Sequence, residues 1–179
     1  MPNSNKTRVF VALYSREGVT LASQSHELHH ARFHWAIWTE PKGSTGAGNC
    51  FQVLKGDSYV NVPGSGGWHF DCCRAANYTR SNTMLGRIMV GKIPNDVRPD
   101  HVNAVLSSIP LPRIDVKPAE NCVSWTVATL QELRGRGWVD SFDLQSFMNY
   151  ASDRASYWCR DNYYLGKNLK ENYTGRKFP

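Results

Sequence analysis

Cys122 is the residue of this sequence best suited to nucleophilic chemistry. It follows Asn121, a good N-cap residue, and precedes apolar residues at helical spacing, so it should be the first residue of a helix. Unpaired backbone N–H groups at that position stabilise negative charge and lower the pKa of a thiol. Such a thiolate is a nucleophile at neutral pH. The alternative is a buried cysteine that packs as a small apolar side chain.

His34 is the candidate base. It lies in the segment FHWAIW, between Phe33 and Trp35, and this segment is typical of a buried β-strand. An imidazole is costly to bury there unless its nitrogens find hydrogen-bond partners. A core histidine whose partners are purely structural is the other interpretation of this residue.

The two motifs FHWAIW and ENCVSW together resemble the permuted papain-like cysteine enzymes of the NlpC type and the lecithin:retinol acyltransferase type. In those families a histidine begins a strand and the nucleophile begins a later helix, the places that His34 and Cys122 occupy here. The order of elements over residues 8–133 is also similar to a fungal family of small uncharacterised proteins. The resemblance implies a cysteine-dependent hydrolase or acyltransferase with a small-molecule or peptide acyl substrate and no cofactor.

The resemblance also implies a third catalytic residue on the strand that follows His34. The related enzymes usually place a second histidine or another polar residue there, and the matching position is Gln52 in CFQVL. A glutamine amide can donate to or accept from an imidazole nitrogen, so the triad of Cys122, His34 and Gln52 is chemically workable. The alternatives are Asn49, Asn61, His69 and an ordinary strand residue at Gln52.

For such a triad the resemblance implies that His34 deprotonates Cys122, which attacks an amide, ester or thioester and forms a thioester acyl-enzyme. The backbone N–H of Cys122 would hold the oxyanion, a role worth roughly 3 kcal/mol. The sequence does not separate hydrolysis from acyl transfer. A catalytically silent ligand-binding or protein-binding module on the same fold is the competing hypothesis.

Residues 26–30, HELHH, formally match the HExxH signature of zinc hydrolases. That signature needs a helix, and only a short stretch separates Gly18 from the strand at Phe33. A distant third ligand is not obvious. We therefore interpret the match as chance, predict no metal site, and expect these histidines to line the mouth of a cleft.

The pattern of elements predicts an α+β fold. Short β-rich segments at residues 8–14, 33–38, 50–54, 68–73 and 85–93 predict about five strands. Helices are predicted to begin at Pro99, after Asn121, and after an N-cap at Asp140 or Ser141. This order indicates an antiparallel sheet packed against C-terminal helices, and the resemblance implies the permuted papain-like arrangement.

Length and composition predict one folded domain over residues 1–179. The chain has 41% hydrophobic and 12% aromatic residues, which is typical of a globular protein. A basic segment at residues 166–179 is predicted to be a flexible tail. The net charge of +6 comes from scattered residues, so nucleic-acid binding is not predicted.

The compartment is inferred from cysteine usage and hydropathy. The five cysteines are an odd number without the spacing of a disulfide framework. Neither a signal peptide nor a transmembrane segment is predicted. These features predict a cytoplasmic protein, whereas no pattern indicates its oligomeric state.

Overall fold

The computed structural model describes residues 6–16, 29–56, 65–77 and 81–177. This part of the chain forms an α+β fold with one six-stranded mixed sheet and three α-helices. The strands are β1 (Thr7–Tyr14), β2 (His34–Glu40), β3 (Ala47–Lys55), β4 (Trp68–Asn77), β5 (Met84–Ile93) and β6 (Lys170–Asn172). The helices are α1 (Pro99–Ser107), α2 (Cys122–Gly135) and α3 (Leu144–Cys159). None of these described helices is long and apolar enough to cross a membrane.

The strands lie in the order β4-β3-β2-β1-β5-β6. The first five are antiparallel neighbours, as the sequence predicted, but β6 is parallel to β5. The expected flexible tail over residues 166–179 is therefore wrong for Lys170–Asn172, which pair with β5. A three-residue strand has too few positions to show an alternating pattern, so the sequence did not indicate it.

Buried charges attach β6 to the sheet. Glu40 and Arg87 are almost completely buried and form an ion pair at 2.7 Å. Lys170 of β6 donates to the second oxygen of Glu40 at 2.9 Å. Because a buried carboxylate is stable only when it is paired, Glu40 holds β5 and β6 together.

The two faces of the sheet follow from the alternation of side chains along its central strand. On β1, Val9, Val11 and Leu13 belong to the large core that also contains residues of all three helices. Phe10 and Ala12 belong to a smaller cluster on the opposite face. Helix α2 packs on β2 and β3, and this contact brings its first residue close to the strands that carry the predicted site.

Two of the three predicted helix starts are confirmed. Helix α1 begins at Pro99, and Asn121 is the N-cap of α2. The third prediction is wrong, because the N-cap of α3 is Asp143, whose Oδ1 accepts from the N–H of Ser146 at 2.7 Å. Asp140 instead pairs with an arginine of the C-terminal segment, Arg176, at 2.6 Å.

Candidate active site

The start of α2 meets the start of β2, and this places Cys122 beside His34. Cys122 is the first residue of α2, and its side chain is completely buried. His34 is the first residue of β2 and is paired with Tyr14 at the end of β1. The His34 side chain and the backbone of Trp35 interact with the Cys122 thiol and lower its pKa. The two residues that the sequence singled out therefore lie close to each other.

A reciprocal cap holds the first turn of α2 around the sulfur. The Oδ1 atom of Asn121 accepts from the N–H of Val123 at 2.8 Å. In return, the Oγ atom of Ser124 accepts from the N–H of Asn121 at 2.6 Å. These bonds satisfy two backbone donors of the helix end and fix the backbone on both sides of Cys122.

The environment of Cys122 favours its thiolate. Burial alone would raise the pKa of this thiol, but the hydrogen bond and charge of His34, the charge of Arg16 and the N–H of Trp35 together lower it. Burial raises the pKa of each of the other four cysteines, that of Cys50 to about 12. Cys122 is thus the one cysteine of the five whose surroundings lower the thiol pKa.

Gln52 contacts the opposite side of the His34 ring. The Nε2 atom of His34 lies 2.8 Å from the Oε1 atom of Gln52, and the amide nitrogen of Gln52 donates to Oδ2 of Asp71 at 2.9 Å. A carboxylate accepts hydrogen bonds but has none to donate, so Asp71 holds the NH₂ group of Gln52 and turns its carbonyl toward His34. Nε2 of His34 is then the protonated nitrogen. Nδ1 remains for the sulfur of Cys122.

The alternatives to Gln52 are not in this position. Asn49 bonds the hydroxyl of Thr39 at 3.5 Å and the backbone N–H of Ala75 at 3.1 Å. His69 lies on β4 opposite Leu54. Asn61 lies outside the described residues. Gln52 is therefore the candidate third residue that the structure brings against His34.

Two residues of the site were missed by the sequence analysis. Arg16, just beyond the end of β1, donates from Nη2 to the Cys122 sulfur at 3.0 Å. Asp71 is the direct cross-strand partner of Gln52 in the β3–β4 pair. An acidic residue inside the predicted strand at 68–73 was the available signal for Asp71, but finding its partner required the register of β3 and β4.

An open cleft of about 670 Å³ lies beside the first turn of α2. Asn121 and Val123, the two chain neighbours of Cys122, line it. His29 and His30 line it as well, in agreement with the expectation that histidines of the HELHH segment border a cleft. Cys122, His34 and Gln52 are not part of its lining, so the cleft adjoins the first turn of α2 and not the sulfur itself.

The zinc interpretation of residues 26–30 rests partly on His26 and Glu27, which lie outside the described residues. His30, one of the other histidines, bonds Oδ1 of Asn149 through its Nε2 atom at 3.0 Å. Across residues 6–16, 29–56, 65–77 and 81–177, no three His, Cys, Asp or Glu side chains are grouped so that they could hold a metal ion.

Comparison with models of protein families gives a match. The model of DUF6914, a family of unknown function, matches residues 6–162. This range contains β1 to β5, all three helices and every residue of the candidate site. No curated protein and no solved structure shows significant similarity to the chain.

Proposed function

We propose that this chain, which belongs to the DUF6914 family of unknown function, is a cysteine-dependent hydrolase or acyltransferase. The observation that carries the proposal is the arrangement of Cys122 at the N-terminus of α2 beside His34, whose Nε2 atom lies 2.8 Å from Oε1 of Gln52. Covalent acyl chemistry requires a thiol next to an imidazole, and an amide that orients the imidazole from its other side. The substrate would be an amide, ester or thioester.

In the proposed reaction Nδ1 of His34 takes the thiol proton of Cys122. The sulfur then attacks the acyl carbonyl carbon, and the carbonyl electrons move to oxygen. When the tetrahedral intermediate collapses, the bond to the leaving group breaks, and the imidazolium of His34 returns its proton to that group. The first product is a thioester on Cys122. Water then hydrolyses this thioester, or an amine or alcohol accepts its acyl group and the thiol is released.

Gln52 and the helix start have supporting roles in this proposal. Gln52 accepts from Nε2–H of His34, which keeps Nδ1 unprotonated and ready to act as a base. The backbone N–H of Cys122 is the candidate oxyanion donor, because N–H groups of the first helical turn have no partner within the helix. Asp71 is a positioning residue that acts through Gln52.

We further infer the permuted papain-like arrangement for this α+β fold. Its support is the chain order of the site: the histidine on β2 precedes the amide on β3, and the cysteine follows much later at a helix start. The same order occurs in the NlpC-type and lecithin:retinol acyltransferase-type enzymes that the two motifs resemble. A glutamine instead of the usual histidine at the third position is the departure from that pattern.

Competitive labelling of the five cysteines tests the proposal. The native protein would receive a small amount of iodoacetamide at neutral pH, and mass spectrometry would give the labelling rate of each cysteine. We expect Cys122 to react fastest, although it is buried and Cys73 is exposed. His34→Ala should remove this advantage, because burial would then dominate the pKa of the Cys122 thiol.

An activated ester extends the test from reactivity to acyl transfer. With p-nitrophenyl acetate, the expected product is an acetyl adduct on Cys122 that forms in the native protein and not in Cys122→Ser. Cys159→Ser is the matched control, because it also removes one thiol, at the end of α3, and leaves the site intact. Equal labelling of all five cysteines and no adduct would contradict the enzyme proposal.

A silent binding module is the second candidate, and a specific observation favours it. The Cys122 side chain has no exposed surface, and Arg16 lies against its sulfur. A nucleophile must be uncovered before it can react, whereas a structural cysteine need not be. Under this alternative His34→Ala would lower stability without changing which cysteine reacts first.

A further inference from the structure

We infer that Arg16 makes the site select acyl groups that carry a negative charge close to the reacting carbonyl. The inference rests on the proposed function and names a substrate class for it. The observation that supports the inference is the contact of the Arg16 guanidinium with the Cys122 sulfur at 3.0 Å. Arg16 is partly buried, and no carboxylate of the described residues forms an ion pair with it. Among the described residues the sulfur is therefore the group that Arg16 contacts, and it becomes an anion when Cys122 ionises.

Charge balance during the reaction leads to the substrate class. When the thiolate attacks, a bond between sulfur and carbon forms and the negative charge moves to the carbonyl oxygen. When this intermediate collapses, the bond to the leaving group breaks and that group departs with the proton of His34. The neutral thioester that remains leaves the partly buried Arg16 guanidinium without an anion, and an unpaired buried charge is unfavourable. An acyl group with its own carboxylate restores the pair, because arginine binds carboxylates through two parallel N–H donors.

The neighbouring cleft has a matching electrostatic character. Its lining contains the cations Arg113 and Lys117 and one carboxylate, Glu120. Glu120 is already paired with Arg113 at 2.7 Å, and Lys117 forms no ion pair with any described carboxylate. The cleft thus has an excess of positive charge next to Asn121 and Val123, the chain neighbours of Cys122, and this charge attracts anionic substrates.

Iodoacetate and iodoacetamide provide a direct test, because they transfer groups of similar size to sulfur and release iodide. One reagent carries a carboxylate and the other an uncharged amide. The measured quantity is the ratio of their alkylation rates at Cys122 in the native protein. The same thiolate attacks both reagents, so a change in the pKa of Cys122 cancels from this ratio.

We expect Arg16→Gln to lower the ratio of iodoacetate to iodoacetamide reactivity at Cys122 by about fivefold, the effect of removing one charge close to the reagent. Arg16→Lys should retain most of the ratio, because it keeps the charge. Arg32→Gln is the matched control: it lowers the net charge equally, but Arg32 bonds the His29 carbonyl and Ser156 and does not contact the sulfur. The ratio at the exposed Cys73 should not change in any variant.

The outcomes separate this inference from the proposed function. An unchanged ratio in Arg16→Gln, with Cys122 still the fastest thiol toward iodoacetamide, overturns anion selection and leaves the cysteine enzyme intact. The ratio could depend on Arg16 while Cys122 reacts no faster than Cys73 with iodoacetamide. That result supports anion selection at Arg16 and contradicts the enzyme proposal. If neither reagent labels Cys122 in the native protein, both proposals are overturned.

Discussion

The Nε2 atom of His34 lies 2.8 Å from the Oε1 atom of Gln52. A glutamine amide could present either its oxygen or its nitrogen to the ring, and the two orientations have opposite effects on the imidazole. Asp71 removes this ambiguity, since it accepts from the NH₂ group of Gln52. The resulting tautomer keeps the proton of neutral His34 away from Cys122, which is the arrangement that a general base requires.

Loss of the Gln52 side chain should slow the reaction of Cys122. We expect Gln52→Ala to lower the rate of iodoacetamide labelling at Cys122 by roughly tenfold to a hundredfold, because general-base assistance is worth about 10²–10⁴-fold and an unoriented imidazole retains only part of it. Asn49→Ala is the control, since Asn49 lies on the same strand but bonds Thr39 and Ala75. Similar rates in both variants would contradict a role for Gln52.

Asp71 should act through Gln52 and have a smaller effect. We expect Asp71→Ala to reduce Cys122 labelling about threefold to tenfold, the equivalent of one lost hydrogen bond, and Asp71→Asn to restore it because an amide oxygen can still accept. Nitrogen NMR of His34 supplies a readout that a structural role alone would not change. In Asp71→Ala the population with a proton on Nδ1 should rise, and an unchanged tautomer would exclude this positioning role.

The parts of the site that could be predicted from the sequence are those with local signals. An N-cap asparagine before an apolar helical pattern located the start of α2, and a histidine in an apolar strand located β2. Asp71 and Arg16 depend on contacts between segments far apart in the chain. The register of β3 on β4 determines the first contact, and the end of β1 reaching the start of α2 determines the second.

The same distinction explains the errors in the predicted fold. Asp140, Ser141 and Asp143 are all chemically suitable N-caps, and the choice among them depends on tertiary contacts such as that of Arg176 with Asp140. Strand β6 depends on Lys170 reaching the buried Glu40, a partner 130 residues away. Neither contact leaves a periodic pattern in the local sequence, so neither was available to sequence reasoning.

The pH dependence of labelling should distinguish Cys122 from an ordinary thiol. Because the pKa of Cys122 is lowered, its thiolate forms at lower pH, and the rate of iodoacetamide labelling should level off at a lower pH than that of an ordinary thiol. In His34→Ala the inflection should move to higher pH, since burial remains while the charge and hydrogen bond of His34 are lost. The measurement is the labelling rate from about pH 5 to about pH 10. An inflection unaffected by His34→Ala would contradict the assigned cause.

The two helix caps allow stability and reactivity to be separated. Asn121 caps α2 by accepting from Val123, and Asp143 caps α3 by accepting from Ser146. Replacement of either by alanine should lower the free energy of unfolding by about 1 kcal/mol, measured by urea denaturation. Only Asn121→Ala should also slow the labelling of Cys122, because only that cap fixes the backbone around the sulfur. Equal labelling in the two variants would mean that the capped turn stabilises α2 without preparing Cys122 for reaction.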